Sequence, residues 1–212
     1  RMKQASGEKC IPLTSELLHK QYIEPLRMLS GKFDEIQPVL NAFACWSDKI
    51  LSFGLELGFS HADFNPSNLI LDQRGGLYVI DFEFAREEDI TLNDILFFLA
   101  TSSSNLCGRS FRETILNLNI VGTEFEMALD HVLKANGKSN DATELIFLIL
   151  LSRLTLQEYQ LYCEDYDNNF IPFISKGGQN KDEIYRISSY YLKILSEYTR
   201  NIAGKNKSCC HS

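Results

Sequence analysis

Proline is scarce in this chain, five in 212 residues, while aromatic residues reach 11%. That balance excludes a disordered or linker-like composition, which is rich in proline and poor in aromatics. Long apolar runs are missing too. The longest candidate, Leu145 to Leu156, is about a dozen residues, too short to span a bilayer, and it contains Arg153. No signal-peptide pattern opens the chain, so a soluble, cytoplasmic protein with no membrane partner is expected. Positive charge is in deficit, 21 Lys and Arg against 28 Asp and Glu, for a net −7. A phosphate-backbone binder needs the opposite sign, so no nucleic-acid partner is expected. The six cysteines, at 10, 45, 107, 163, 209 and 210, make no CxxC pair and match neither a disulfide scaffold nor a zinc site. Cys209-Cys210-His211-Ser212 has the length of a prenylation box, but His211 stands where an aliphatic residue belongs.

What is present is apolar and mostly helical in period. At 44% hydrophobic residues the chain can bury a sizeable core, as one large domain or two small ones. Val39, Phe43, Trp46 and Ile50 lie four, three and four apart, a stripe on a helix expected to end near Leu57. Ile184, Ile187, Tyr191, Ile194, Tyr198 and Ile202 repeat the pattern. Further helices are expected over 13–29, 91–103, 123–135 and 141–163, the last capped from Ser139-Asn140-Asp141. One stretch breaks the habit. Asn68 to Asp72 and Leu77 to Asp81 are short β-prone runs joined by Gln73-Arg74-Gly75-Gly76, a glycine turn that predicts a hairpin. The expected fold class is α+β, strongly α-rich, one domain with a small hairpin embedded near residue 75.

Polar residues crowd the two ends of that hairpin. His61, Asp63 and Asn68 enter it; Asp81 and Glu83 leave it. A two-stranded hairpin returns the chain to its start, so Asn68 and Asp81 become neighbours. An amide oxygen beside a carboxylate is a hard-oxygen pair suited to a magnesium ion carrying nucleotide phosphates. Asp63, five residues before Asn68, can then orient an acceptor hydroxyl and take its proton. Read structurally instead, 63–68 is an Asn-Pro turn and Asp81 a strand-end residue. That reading leaves unexplained an Asp ending an apolar strand and followed by Phe82-Glu83-Phe84, which looks buried. Glu83 could contact metal-bound water or substrate, or pair with Arg86.

The pattern His61-Ala-Asp63-Phe-Asn-Pro-Ser-Asn68, a hairpin, then Ile80-Asp81-Phe82-Glu83, resembles the aminoglycoside phosphotransferase and choline kinase-like superfamily, relatives of the protein kinases. The resemblance implies Asp63 as catalytic base and Asn68 and Asp81 as the residues holding metal and, through it, nucleotide. His61 joins the catalytic set by bracing the loop through hydrogen bonds. Asp94, in the next helix, would anchor the loop backbone. The implied function is Mg2+-dependent transfer of the γ-phosphate of ATP or GTP to a hydroxyl of a small molecule: an aminoglycoside, a choline-like amine or a sugar. The alternative is a non-catalytic kinase-like binding or regulatory module. A protein kinase fits less well, since Asp81 is followed by Phe82-Glu83 and no Ala-Pro-Glu signature is found.

The resemblance covers only the C-terminal lobe of that family, so residues 1–212 are expected to be a kinase-like C-terminal (catalytic) lobe. The family's N-terminal lobe is a β-rich domain with a phosphate-covering loop and a lysine. Here there is no GxGxxG, Gly54 and Gly58 lie in a helix-like segment, and residues before 60 read as helices. The nucleotide-clamping lobe is thus expected to lie outside this chain, in an upstream extension, or to have been lost in a one-lobe relative. An exposed apolar face where that lobe docks is expected near the hairpin and the chain's start. The resemblance assigns acceptor binding to residues after 105, where Glu158, Tyr159, Tyr162, Glu164, Asp165, Tyr166 and Asp167 could hold an ammonium group or sugar hydroxyls, or simply form a solvated helix end.

Overall fold

The computed structural model describes residues 10–117, 123–139, 142–167 and 190–205. Their contacts divide the chain into two compact units, Arg1–Ser15 with Asp48–Ile146 and Glu16–Ser47 with Phe147–Ser212. The fold is α+β and α-rich, with two small antiparallel sheets.

In the first unit the strands β1 (Ile11–Pro12), β2 (Glu56–Ser60) and β5 (Arg86–Ile90) form an antiparallel sheet in the order β1-β2-β5. Leu57 pairs with Ile90 and Gly58 with Asp89, and a bulge follows before Ser60 meets Arg86. The close approach is why position 58 is glycine. A Cβ there would lie 3.0 Å from the Thr91 Cγ2 and 3.2 Å from the Cys10 Sγ. Two sequence expectations are corrected here. The residues before 60 are not wholly helical, and the helix expected to reach Leu57 stops at Ser52. Gly54, in the left-handed region at φ 58°, turns the chain out of that helix into β2.

Between β2 and β5 lies the hairpin of β3 (Leu69–Leu71) and β4 (Leu77–Val79), paired Leu69 with Val79, Ile70 with Tyr78 and Leu71 with Leu77. Its turn is closed by Asp72, whose Oδ1 accepts from the backbone N–H of Arg74 at 2.8 Å and of Gly76 at 2.7 Å. Gly75 takes φ 81°. These two amides hold the Asp72 carboxyl below its usual range. The hairpin is as expected, and so is an exposed apolar face: Leu71 is 71% and Leu77 63% exposed, and Ile70 and Tyr78 are exposed beside them. Phe82 and Glu83, expected to be buried, are exposed instead.

Three helices complete this unit: α4 (Leu92–Cys107), α5 (Phe111–Leu116) and α6 (Thr123–Ala135). Gly108, left-handed at φ 62°, ends α4, and the Arg109 N–H reaches back to the Ser104 carbonyl at 3.0 Å. The short α5 starts on a reciprocal cap between Ser110 and Glu113, a Ser-x-x-Glu signature overlooked in the sequence.

In the second unit, α1 (Ser15–Leu18), a π turn (His19–Ile23) and α2 (Glu24–Ser30) form one continuous helical run in place of the expected helix 13–29. It buries Leu18, Tyr22, Leu26 and Leu29, and Tyr22 stacks on Phe43 at 6.4 Å. The expected stripe Val39, Phe43, Trp46 and Ile50 is buried along α3 (Ile36–Ser52), of which the part from Asp48 on, with Ile50, belongs to the first unit. The helix α7 (Thr143–Asp167) carries the apolar run around Leu145 to Leu156, buried as a core helix, and Arg153 is only 3% exposed. The Asn140-Asp141 cap expected for it lies outside the described residues, as do Ile184, Ile187 and the ending Cys209-Cys210-His211-Ser212. The last helix, α8 (Tyr190–Lys205), buries Ile194, Tyr198 and Ile202 as the periodicity predicts. No described helix is long and apolar enough to cross a membrane.

Candidate active site

Between Ser60, the last residue of β2, and Leu69, the first of β3, the chain makes a tight loop. The buried carboxylate of Asp94 in the first turn of α4 holds it. Its Oδ2 accepts from the His61 N–H at 2.6 Å; its Oδ1 accepts from the Ala62 N–H at 2.9 Å and the Ser60 hydroxyl at 2.9 Å. One buried charge therefore satisfies three donors, which is what makes its burial tolerable. The anchored residues include Ala62 at φ 69°, a left-handed conformation that costs a residue with a Cβ about 1 kcal/mol.

His61 ties the loop to the hairpin's exit. Its Nε2 donates to the Ile80 carbonyl at 2.8 Å, so Nδ1 is the acceptor, 3.3 Å from the Asp63 N–H. Both ring nitrogens are thus spent on backbone, in keeping with a bracing role. Aromatic rings back it: Phe82 lies 4.6 Å from the imidazole and Phe64 6.0 Å, and Phe64 packs on Phe98 at 5.2 Å.

Asp63, half-buried, is gripped by two amides. Asn68 Nδ2 donates to its Oδ2 at 2.9 Å and to its main-chain carbonyl at 2.8 Å. Asn65 Nδ2 donates to its Oδ1 at 3.0 Å and to the same carbonyl at 3.1 Å. Asn65 in turn caps the short 3-10 turn Pro66–Asn68, its Oδ1 accepting from the Ser67 N–H at 2.9 Å. Asn68 thereby reaches Asp63 with its nitrogen, and its side-chain oxygen takes no part in that grip.

At the hairpin's open end the Ile80 N–H donates to the Asn68 carbonyl at 3.0 Å, joining the strand ends as their sequence spacing requires. Asp81 follows, exposed and left-handed at φ 65°. Ala62 and Asp81 are the two non-glycine residues with positive φ among the described residues, and both flank this site. Strain so placed is a mark of a functional turn. Among the described residues no cluster of three or more His, Cys, Asp or Glu could cage a metal. The donors present, an amide oxygen and an exposed carboxylate, instead fit a magnesium ion that takes most of its ligands from phosphate and water.

The expected site residues therefore fall as follows. His61, Asp63, Asn68 and Asp94 form one hydrogen-bonded assembly, and Asp81 stands one residue beyond its Ile80 link. Asn65, Ser60 and Ala62 were missed, although Asn65-Pro66-Ser67 carries the signature of a capped turn. Of the acceptor residues, the side chains after Tyr159 lie outside the described residues. In the second unit, Glu158 Oε2 accepts from the Tyr191 N–H at 3.1 Å at the start of α8. Burial pushes its carboxyl up to about 7 against the opposing pull of the Tyr191 and Tyr190 amides. Tyr159 already has a cation beside it. Lys32 bonds its hydroxyl and lies 5.1 Å from its ring centre, and Phe33 meets the same ring edge-on at 6.2 Å.

An α-rich α+β fold carrying a carboxylate–amide loop at the mouth of a hairpin defines a small class of candidates. The chain matches the model of the phosphotransferase enzyme family, APH, over residues 1–118, and it belongs to that family. The matched segment holds the loop, the hairpin, α4 and Asp94; α6, α7 and α8 lie beyond it. Neither a curated protein nor a solved structure matches the chain.

Proposed function

We propose that the chain is the catalytic lobe of a small-molecule kinase, moving the γ-phosphate of ATP or GTP to an alcohol hydroxyl with Mg2+. The observation that carries this is the double amide grip on Asp63, on a loop whose backbone is pinned by the buried Asp94. A carboxylate fixed in direction yet half-exposed suits a base that orients an acceptor hydroxyl and accepts its proton as the new P–O bond forms. The Asn68 oxygen and the Asp81 carboxylate would hold the metal. When bound, Mg2+ supplies charge neutralisation for the phosphates. His61 keeps the entry loop in register with Ile80, so that base and ligands move as one body.

The acceptor belongs to the class of aminoglycosides, choline-like amines or sugars. A net charge of −7 favours the cationic members, since a negative field raises their local concentration. The exposed apolar hairpin side chains Ile70, Leu71, Leu77 and Tyr78 suit a cover by a nucleotide-clamping N-terminal lobe. On this reading residues 1–212 alone bind nucleotide weakly. The test is a substrate screen on the full-length protein, followed by Asp63→Asn and Asp81→Ala on the best acceptor. Each should lower kcat by on the order of 100-fold or more, with the fold retained. Unchanged turnover in either variant would sink the role given to that residue.

A further inference from the structure

Asp63 has three acceptor atoms within reach of its own loop: two carboxylate oxygens and its main-chain carbonyl. Asn68 holds one carboxylate oxygen and the carbonyl. Asn65 holds the other carboxylate oxygen, at 3.0 Å, and the same carbonyl, at 3.1 Å. With either amide alone the carboxylate keeps freedom to turn about its single bonds; with both, its two side-chain torsions are determined. The orientation of the Asn65 amide is itself determined. Its Oδ1 accepts from both the Ser67 N–H at 2.9 Å and the Ser67 hydroxyl at 2.5 Å, so a flipped amide would set its NH2 against the Ser67 N–H and its oxygen against two oxygens of Asp63. Asn65 also caps the turn that presents Asn68. One side chain therefore joins the direction of Asp63 to the placement of Asn68.

We infer that Asn65 is a positioning residue for phosphoryl transfer: through its Nδ2 it aims the Asp63 carboxylate at the acceptor hydroxyl, independently of the grip supplied by Asn68. The inference rests on the kinase reading above. Two jobs of Asn65 can be separated. Capping needs only its oxygen, and Ser or Asp at this position supplies an oxygen to the Ser67 N–H. Aiming needs its nitrogen, which neither supplies in that place. Asn65→Ser is the neutral test, Asn65→Asp adds a like charge beside Asp63, and Asn65→Ala removes both jobs.

The variants are made in the full-length protein. Four quantities are measured: kcat, KM for nucleotide, the unfolding midpoint, and the Asp63 χ1 distribution from NMR scalar couplings. Misaiming a reacting group is worth up to about 100-fold in rate. The expected result is a fall in kcat of at least about tenfold in all three variants, with nucleotide KM within about twofold in Asn65→Ser, where the cap is kept and no charge is added. Asn65→Ser should keep the wild-type unfolding midpoint, Asn65→Asp should lower it by setting an oxygen against the Asp63 oxygens that the amide nitrogen now meets, and Asp63 should change from one rotamer to an average in Asn65→Ser and Asn65→Ala. A purely structural cap would instead be rescued by Ser or Asp. Near-wild-type kcat in Asn65→Ser with a single Asp63 rotamer overturns the inference. Failure of the kinase reading is recognised separately: Asp63→Asn would then leave turnover intact, while Asn65→Ser still loosened the Asp63 rotamer.

Discussion

Replacing Asp94 by alanine puts the strongest strain on this account of the loop. The side chain is 7% exposed and accepts from two buried backbone amides, His61 at 2.6 Å and Ala62 at 2.9 Å, and from the Ser60 hydroxyl. The hydroxyl can rotate, and it already accepts from the Ala62 N–H at 3.2 Å, so its loss of a partner is largely recoverable. The backbone donors cannot move without moving the chain. Leaving a buried donor unpaired costs about 1–3 kcal/mol, which the His61 amide incurs in full, while the Ala62 amide, left with the longer Ser60 contact, adds about 1 kcal/mol, for a loss of about 2–4 kcal/mol. Letting Ala62 relax from φ 69° returns about 1 kcal/mol of that. The expected net destabilisation is about 1–3 kcal/mol, a sizeable part of the ~5–15 kcal/mol that holds a domain folded. Asp94→Asn should be nearly as costly, because its NH2 group faces donors. Urea unfolding at unchanged m-value, followed by circular dichroism, measures the loss. The sole tryptophan, Trp46, lies in the other compact unit and is the wrong local probe. Amide hydrogen exchange at His61 and Ala62 reports the loop directly. A shift below about 1 kcal/mol with both amides still protected would refute the claim that Asp94 anchors the loop.

Two further outcomes test the frame around the site. Gly75→Ala adds a Cβ that meets nothing within 4 Å, so its cost is the backbone conformation alone, about 1 kcal/mol for a side chain held at φ 81°. A neutral result by thermal unfolding would mean that the hairpin turn is not held in that geometry. Glu158 gives a pH dependence with a defined sign. Its carboxyl, ordinarily near 4.5, is raised to about 7 when folded, so the folded protein binds a proton that the unfolded chain releases. Its contribution is intact below about 4.5 and is lost as pH rises toward 7. Glu158→Gln, which keeps an oxygen for the Tyr191 amide, should flatten the fall in unfolding midpoint across that window. An unchanged slope would show that Glu158 is solvated.

Much of this molecule is legible in the chain. The stripes at 39, 43, 46 and 50 and at 194, 198 and 202 specify helices because a 3.6-residue period leaves one face to bury, whatever it packs on. Gly75-Gly76 after Asp72 specifies a turn because the turn's own backbone and side chain close it. Asp63, Asn68 and Asp81 could be singled out by their spacing around a hairpin, and Asp94 only through the family resemblance. Other features exist only by tertiary contact. Arg86-Glu-Glu-Asp-Ile90 has little intrinsic strand tendency; it is a strand because β2 offers a ladder to pair with, and β2 itself looked like the tail of α3. Phe82 is exposed despite its apolar side chain, with its ring 4.6 Å from the His61 imidazole, a placement that residue type alone does not give. The grip of Asn65 depends on Asp63 and Ser67 being folded to within 3.1 Å of one amide, and no pattern of residue types measures that distance. Local period and turn chemistry thus determined the elements, while the aim of the Asp63 carboxylate was decided by hydrogen bonds that form only once the loop is closed.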